Sequence, residues 1–448
     1  MIPSGLELID GYRRRELSPV EVTRSVLERI DRVNPELNAF VTLTPDLALE
    51  AAREAERAYA EGRAGQLAGV PVSIKDLTPT KGVRTTWGSL LHEREVPDAD
   101  APFVARVRES GGVIIGKTAT PEMGWKGETT SLVHGTTHNP WRHGRTAGGS
   151  SGGAAAAVAA GLGQLAQGGD GAGSIRIPAA FCGIAGLKTT RGLVPRFPPS
   201  GSALSVVGPM ARTVADCALL LDATARTRTL AGLDEPVDGL RAAWSGDLGY
   251  AAVEPEVLGA VERAAHLLAE GAGLAIADDH PQLDDPWPFI DVIWAANQAS
   301  HHAENFRQVR ELLDPGRAEV VARGLTIPAT AYVAAQDARA GYELAWDGFM
   351  AGYDLMLTPT VPVTAFLAGT DNPPMVAGRP VEYLSWTAFT YPFNATGQPA
   401  ATVPCGLVDG LPVGLQIVGR RGEDALVLRA ARAFERLCPW SYDEMECG

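Results

Sequence analysis

The run Gly148-Gly149-Ser150-Ser151-Gly152-Gly153, an alanine-rich stretch to Gly161, and then Gly168-Gly169-Asp170-Gly171-Ala172-Gly173-Ser174-Ile175-Arg176-Ile177-Pro178-Ala179-Ala180 decide the reading of this chain. Glycine and serine at such density also make linkers. Here, however, Ala154 to Leu162 and Ile175 to Leu187 are apolar, as buried segments are, and a linker does not sit between two core-forming runs. Glycine permits close approaches that side chains block, so a small group held against main chain is the natural occupant. Ser174 opens a short predicted helix with Pro178 in its first turn. The N–H groups of Gly171, Ala172, Gly173 and Ser174 would then converge beside its hydroxyl, the layout of an oxyanion hole. Ser174 is the candidate nucleophile.

A serine hydroxyl needs a base at neutral pH. The eight histidines (His92, His134, His138, His143, His266, His280, His301 and His302) form no triad motif. Lysine is the remaining candidate, and Lys75 stands out at the end of the apolar run Gly69-Val70-Pro71-Val72-Ser73-Ile74-Lys75-Asp76. Taken alone, it reads as a solvated lysine at a strand end.

Taken together, the Lys75 run, the Gly-Gly-Ser-Ser-Gly-Gly run and Gly-Ala-Gly-Ser-Ile-Arg-Ile-Pro-Ala, in this order and spacing, resemble the amidase signature family. Asn139-Pro140-Trp141, Gly186-Leu187-Lys188-Thr189-Thr190-Arg191-Gly192, Gly208-Pro209-Met210-Ala211-Arg212-Thr213-Val214-Ala215-Asp216 and Pro392-Phe393-Asn394-Ala395-Thr396-Gly397-Gln398-Pro399-Ala400 extend the resemblance over nearly the whole chain. It is weakest between about Leu230 and Thr390. The resemblance implies a Ser-Ser-Lys triad at Ser174, Ser150 and Lys75, with a cis peptide before Ser150 and a buried, neutral Lys75. It also implies hydrolysis of a neutral carboxylic amide, anilide or carbamate through an acyl-enzyme, with no cofactor and no metal. Ser151, Asp170 and Arg176 are expected to support the loop. Ala172 stands where family members often carry glycine, so its φ is expected to be either negative or strained. The form of the glycine run looks more like the branch with 6-aminohexanoate cyclic-dimer hydrolase, aryl acylamidases and urethane-cleaving amidases. The rival reading inside the family is a glutamine-dependent tRNA amidotransferase subunit. The Gly-Tyr-Tyr-Asp-Ala-Tyr-Tyr-like stretch typical of that subunit does not occur here. A non-catalytic binding protein on the same scaffold is a further alternative.

Composition agrees with that reading. The chain has 448 residues, 45% hydrophobic and 21% charged, an ordinary globular balance, and a net charge of -14 argues against a nucleic-acid or anionic-membrane partner. Cys182, Cys217, Cys405, Cys438 and Cys447 form no C-x-x-C pattern and are expected to be reduced thiols. No long apolar leader or span is evident, which predicts a cytoplasmic protein acting on a small molecule, with a homodimer left open.

The expected fold is α/β, a single large domain over 1–448 with a mixed central sheet covered by helices on both faces. N-terminal helices occupy 1–65, the catalytic core 66–225, a divergent substrate-pocket region 230–390, and a return to the sheet 391–448. Ser18-Pro19-Val20-Glu21 starts a helix, which Asn34-Pro35 is expected to end. Helices are predicted at Ile290 to Gln308 and Ala329 to Met350, and a closing one at Ala425 to Leu437. Gly111 to Thr118 matches a phosphate-loop pattern, but Val113-Ile114-Ile115 inside it reads as a strand, so Lys117 is taken as structural. His134 and His138 have metal-ligand spacing but lie among loop formers. The proline-stiffened loop Val194 to Ser202 is either a wall of the substrate mouth or a surface connection.

Overall fold

The computed structural model describes residues 2–198, 203–443 and 445. The chain begins with α1 (Gly5–Arg13), α2 (Pro19–Leu37), β1 (Phe40–Leu43) and α3 (Pro45–Ala60). Ser18 caps α2, its hydroxyl accepting the Glu21 N–H at 3.2 Å, with Pro19 at the first helical position. Contrary to expectation, α2 runs through Pro35 and ends at Asn38, whose φ of 53° is left-handed. The stop signal acts one turn late because the Asn34 carboxamide oxygen accepts the N–H groups of Ala39 and Phe40 beyond the helix, at 2.9 and 2.7 Å.

The middle of the chain follows as β2 (Pro71–Lys75), α4 (Pro102–Glu109), β3 (Val113–Thr118) and a two-residue pair, β4 (Thr130–Ser131) and β5 (Gly135–Thr136). It continues through α5 (Gly152–Ala159), β6 (Leu165–Asp170), α6 (Arg176–Cys182), β7 (Ala185–Lys188), β8 (Val206–Ala211) and α7 (Val214–Ala225). Beyond these lie β9 (Arg241–Trp244), α8 (Pro255–Ala272), β10 (Ala275–Asp278), α9 (Trp287–Ser300), α10 (Phe306–Val309), α11 (Pro315–Gly324), α12 (Ala329–Met350) and β11 (Leu355–Pro359). A small hairpin, β12 (Met375–Val376) and β13 (Arg379–Pro380), precedes α13 (Tyr391–Thr396), β14 (Ala400–Val408), β15 (Leu411–Gly419) and α14 (Asp424–Leu437).

Eleven strands form one mixed sheet in the order β1-β3-β2-β6-β8-β7-β14-β15-β11-β9-β10. Strands β3, β2 and β6 run parallel, as do β11, β9 and β10, and antiparallel pairings join the two groups. The returning strands β14 and β15 sit between β7 and β11, so first-half and second-half strands share one sheet. Helices α7, α8 and α14 pack on one face and α5 and α6 on the other. All eight residues of α5 are buried: its alanines let it lie close against the strands, where longer side chains would hold it off.

Three further outcomes bear on the sequence reading. The helix expected over Ile290 to Gln308 starts earlier, at Trp287, because Pro288 is admissible in a first turn, and it stops at Ser300, where apolar periodicity ends. Helix α11, absent from that reading, begins at the cap Asp314, whose carboxylate accepts the Gly316 N–H at 3.0 Å. Residues Val113–Thr118 form a wholly buried strand and not a phosphate loop. There Lys117 Nζ donates to the Thr78 carbonyl at 2.5 Å and to the Thr85 hydroxyl at 2.8 Å. The four described cysteines are free, and Cys447 lies outside the described residues. Among the described residues no helix is long and apolar enough to cross a membrane.

Candidate active site

Strands β2 and β6 lie side by side and parallel, so Lys75 and Asp170 emerge together at their carboxyl ends. The start of α5 brings Ser150 and Ser151 to the same place, and the loop before α6 brings Ser174. The Gly149–Ser150 peptide is cis, as the resemblance implied. Gly149 is required by contact: a Cβ there would meet the Glu128 backbone nitrogen at 2.4 Å.

Lys75 is 1% exposed, which overturns its reading as a solvated strand-end residue. Its Nζ lies 2.7 Å from Ser150 Oγ, 2.8 Å from Ser151 Oγ and 3.4 Å from the Gly169 carbonyl oxygen. Burial lowers its pKa from 10.5 to about 7, more than Asp170 opposes, and Arg196 adds to the fall. Ser151 is therefore in direct contact with the amine, and its hydroxyl also accepts the Gly169 N–H at 3.2 Å. At the far end of α5, Arg29 and Arg212 donate to the carbonyls of Ala160 and Ala159 at 2.9 and 2.6 Å. The positive end of that helix thus faces Lys75, where it also favours the neutral amine.

Asp170 and Arg176 form a fully buried pair that organises the glycine loop. Arg176 donates to both carboxylate oxygens at 3.0 Å, and Asn394 donates to Oδ1 at 2.9 Å. Burial pushes the Asp170 carboxyl up, but Arg176, Lys188 and Asn394 outweigh it and hold the group well below the usual carboxylate range. The same carboxylate accepts the N–H groups of Gly173 at 2.8 Å and Ile175 at 3.2 Å.

This corrects one member of the expected oxyanion hole. The Gly173 N–H serves Asp170, while the carbonyl of the same peptide, on Ala172, accepts the Thr390 hydroxyl at 2.7 Å. Among the described residues, the N–H groups of Gly171, Ala172 and Ser174 meet no protein acceptor and remain as donors. Ala172 keeps a negative φ, whereas Gly173 has φ 126° and a Cβ there would meet Thr390 Oγ1 at 2.4 Å. Glycine is needed at 173 and not at 172, so the alanine is tolerated.

Ser150 and Ser174 line one cavity of about 80 Å³, but no hydrogen bond joins their hydroxyls among the described residues. In ligand-free sites such links are often long and tighten when substrate binds. Phe103, Met123, Phe197 and Trp294 give this cavity apolar walls, and Arg196 stands at its rim. Within the loop Val194 to Ser202, Pro195, Arg196 and Phe197 line the pocket, and residues 199–202 lie outside the described residues. Trp294 lies on α9 with no local motif that marks it as part of a site. Its place in the wall comes from Tyr383, whose hydroxyl accepts the indole N–H and donates to the Trp125 carbonyl at 2.7 Å.

His134 and His138 do not join the site. His134 Nε2 lies 2.8 Å from the Thr86 hydroxyl, and His138 stacks on His143 at 4.0 Å.

The amidase family model matches residues 21–428. The chain is 39% identical to an acylamidase of Rhodococcus erythropolis, over 98% of this chain and 96% of the relative. It is 35% identical to a glutamyl-tRNA(Gln) amidotransferase subunit from Moorella thermoacetica, over 99% and 98%. A crystal structure of a bacterial aryl acylamidase of the amidase signature family superposes with a TM-score of 0.92 at 29% identity, covering 99% of this chain and 98% of that one. A family match across most of the chain, two full-length relatives and the shared fold lead to one conclusion: this chain belongs to the amidase family.

Proposed function

We propose that this chain is a serine amidohydrolase that cleaves the C–N bond of a carboxylic amide, anilide or carbamate through an acyl-enzyme on Ser174. The observation that carries this reading is a buried amine with a depressed pKa, 2.7 Å from the Ser150 hydroxyl and sharing a cavity with Ser174. A neutral Lys75 accepts the Ser150 proton as Ser150 accepts that of Ser174, and Ser174 Oγ attacks the carbonyl carbon. Negative charge moves to the carbonyl oxygen, where the N–H groups of Gly171, Ala172 and Ser174 are placed to receive it. Ser150 then returns a proton to the departing nitrogen, the C–N bond breaks, and water hydrolyses the ester left on Ser174. The apolar cavity walls suit an aryl or alkyl group beside the scissile bond. The same reading has the protein working in the cytoplasm on small molecules, without nucleic acid.

The Ser174→Ala variant tests this. It should lose turnover of 4-nitroacetanilide by about 10⁴-fold or more and lose labelling by a fluorophosphonate, with unchanged circular dichroism. Retained turnover in the pure variant would sink the assignment. The 35% identity to an amidotransferase component favours a second reading, glutaminase action within a larger assembly. Ammonia released from glutamine in preference to any anilide would select it.

A further inference from the structure

The cavity beside Ser174 contains a charge that the hydrolysis above does not use. Arg196 lines its rim, and its guanidinium donates to the Pro198 carbonyl at 3.2 Å. Among the described residues it makes no ion pair with a carboxylate. Among the described residues the carboxylate that lines the cavity, Asp170, serves Arg176 and the glycine loop. His301 follows α9, the helix that carries Trp294; burial, then Arg317, Arg196 and His92, push its pKa down. The field of Arg196 also reaches Lys75 at the inner end of the cavity. On a chain of net charge -14, Arg196 puts an unpaired positive charge on the lining of this cavity.

Arg196 is exposed to solvent, its guanidinium has no counter-charge among the described residues, and a planar anion is its best-matched partner. We infer that the rim is an anion subsite: Arg196 receives a carboxylate carried by the substrate at the end remote from the scissile amide. The amide itself stays in the apolar inner cavity, between Trp294 and the donors of residues 171–174. The inference rests on the hydrolase reading and names a substrate class within it: amides and anilides bearing a distal carboxylate.

Two anilides of matched shape test it. The nitro group of 4-nitroacetanilide mimics the outline of the carboxylate of 4-acetamidobenzoate without its net charge. Because the two leaving groups differ in reactivity, the informative quantity is the ratio of the two kcat/KM values in each variant, measured at pH 9. In Arg196→Gln the ratio of carboxylate to nitro substrate should fall about tenfold or more relative to the unmodified enzyme, mostly through KM. Arg196→Lys should restore part of it, and added salt should lower the ratio in the unmodified enzyme and in Arg196→Lys but not in Arg196→Gln. A ratio constant within about twofold across the three proteins overturns the subsite while leaving the hydrolase intact. No turnover of either anilide by the unmodified enzyme overturns this inference, and failure of a fluorophosphonate to label Ser174 as well would overturn the hydrolase reading with it.

Discussion

Lys75 and Lys126 are both buried, at 1% and 3% exposure, yet their surroundings shift their pKa values in opposite directions. Lys75 lies in the inner layer, among two hydroxyls and a carbonyl oxygen, and its pKa falls to about 7. Lys126 lies where the site loop meets the outer cover, with Asp371 at 2.6 Å, Asp314 at 3.5 Å and Glu128 at 3.7 Å. Burial pulls its pKa down too, but the three carboxylates outweigh that and raise it. Burial alone therefore does not make a base. An amine does so when its partners are neutral, and it becomes a fastener when they are acids.

The strongest break in the comparison is Lys75→Met. Activity should drop about 10⁴-fold or more, while the variant becomes more stable than the unmodified protein. The sign follows from linkage: between pH 7 and 10.5 the unfolded chain holds a proton on residue 75 that the folded chain lacks, so stability rises with pH across that window. Below about pH 7 both forms are protonated, and the deficit is full, of order 5 kcal/mol at most. Methionine removes it. Urea titrations should show the variant's advantage shrinking from pH 7 towards pH 10. The unmodified enzyme's kcat/KM should rise about tenfold per pH unit below pH 7 and level off above it. A profile flat from pH 6 to 9 would mean that Lys75 is not the base.

Lys126→Met should move stability the other way. Removing this ammonium leaves Glu128 and Asp314 buried without their cation, at a cost of roughly 3 to 5 kcal/mol by denaturant titration. Burial raises the Glu128 pKa, so that carboxyl takes up a proton early as the pH falls, and the deficit should narrow in acid. Activity per folded molecule should stay within about tenfold. A variant as stable as its parent would show that Lys126 fastens nothing.

The inner layer was legible in the sequence because main chain builds it. Glycines at 149 and 173 are demanded by contacts under 2.5 Å, so the requirement is written locally as residue type. Ser174 was singled out from the glycines before it, whereas the roles of Lys75 and Ser150 came only with the family resemblance that the motifs and their order carry. What the pattern did not show is that Asp170 occupies the Gly173 N–H, because four adjacent donors look equivalent until the loop is folded. The cover was less legible for a different reason. Helix α12 could be placed, but Trp294, Tyr383 and Trp125 meet from three distant parts of the chain, and side-chain contacts between remote segments leave no local spacing to read. Tyr383 even adopts φ 49° without being glycine, a conformation its residue type does not announce.

The smallest expected effect belongs to that cover. Tyr383 stacks on Trp125 at 5.4 Å, and its hydroxyl links the Trp294 indole to the Trp125 backbone, one residue from Gly124 in the cavity wall. Tyr383→Phe keeps the stack and deletes the link. Trp294 then has a half-buried N–H with no fixed acceptor, worth about 1 kcal/mol, and its ring is free to shift in the wall. Because the ring lies beside the substrate and outside the proton relay, KM for an anilide should rise about fivefold while kcat changes less than twofold. The pH midpoint near 7 should not move, since Lys75 keeps its neighbours. A fall in kcat with a shifted midpoint would place Tyr383 in the inner layer's chemistry and erase the division drawn between the two lysines.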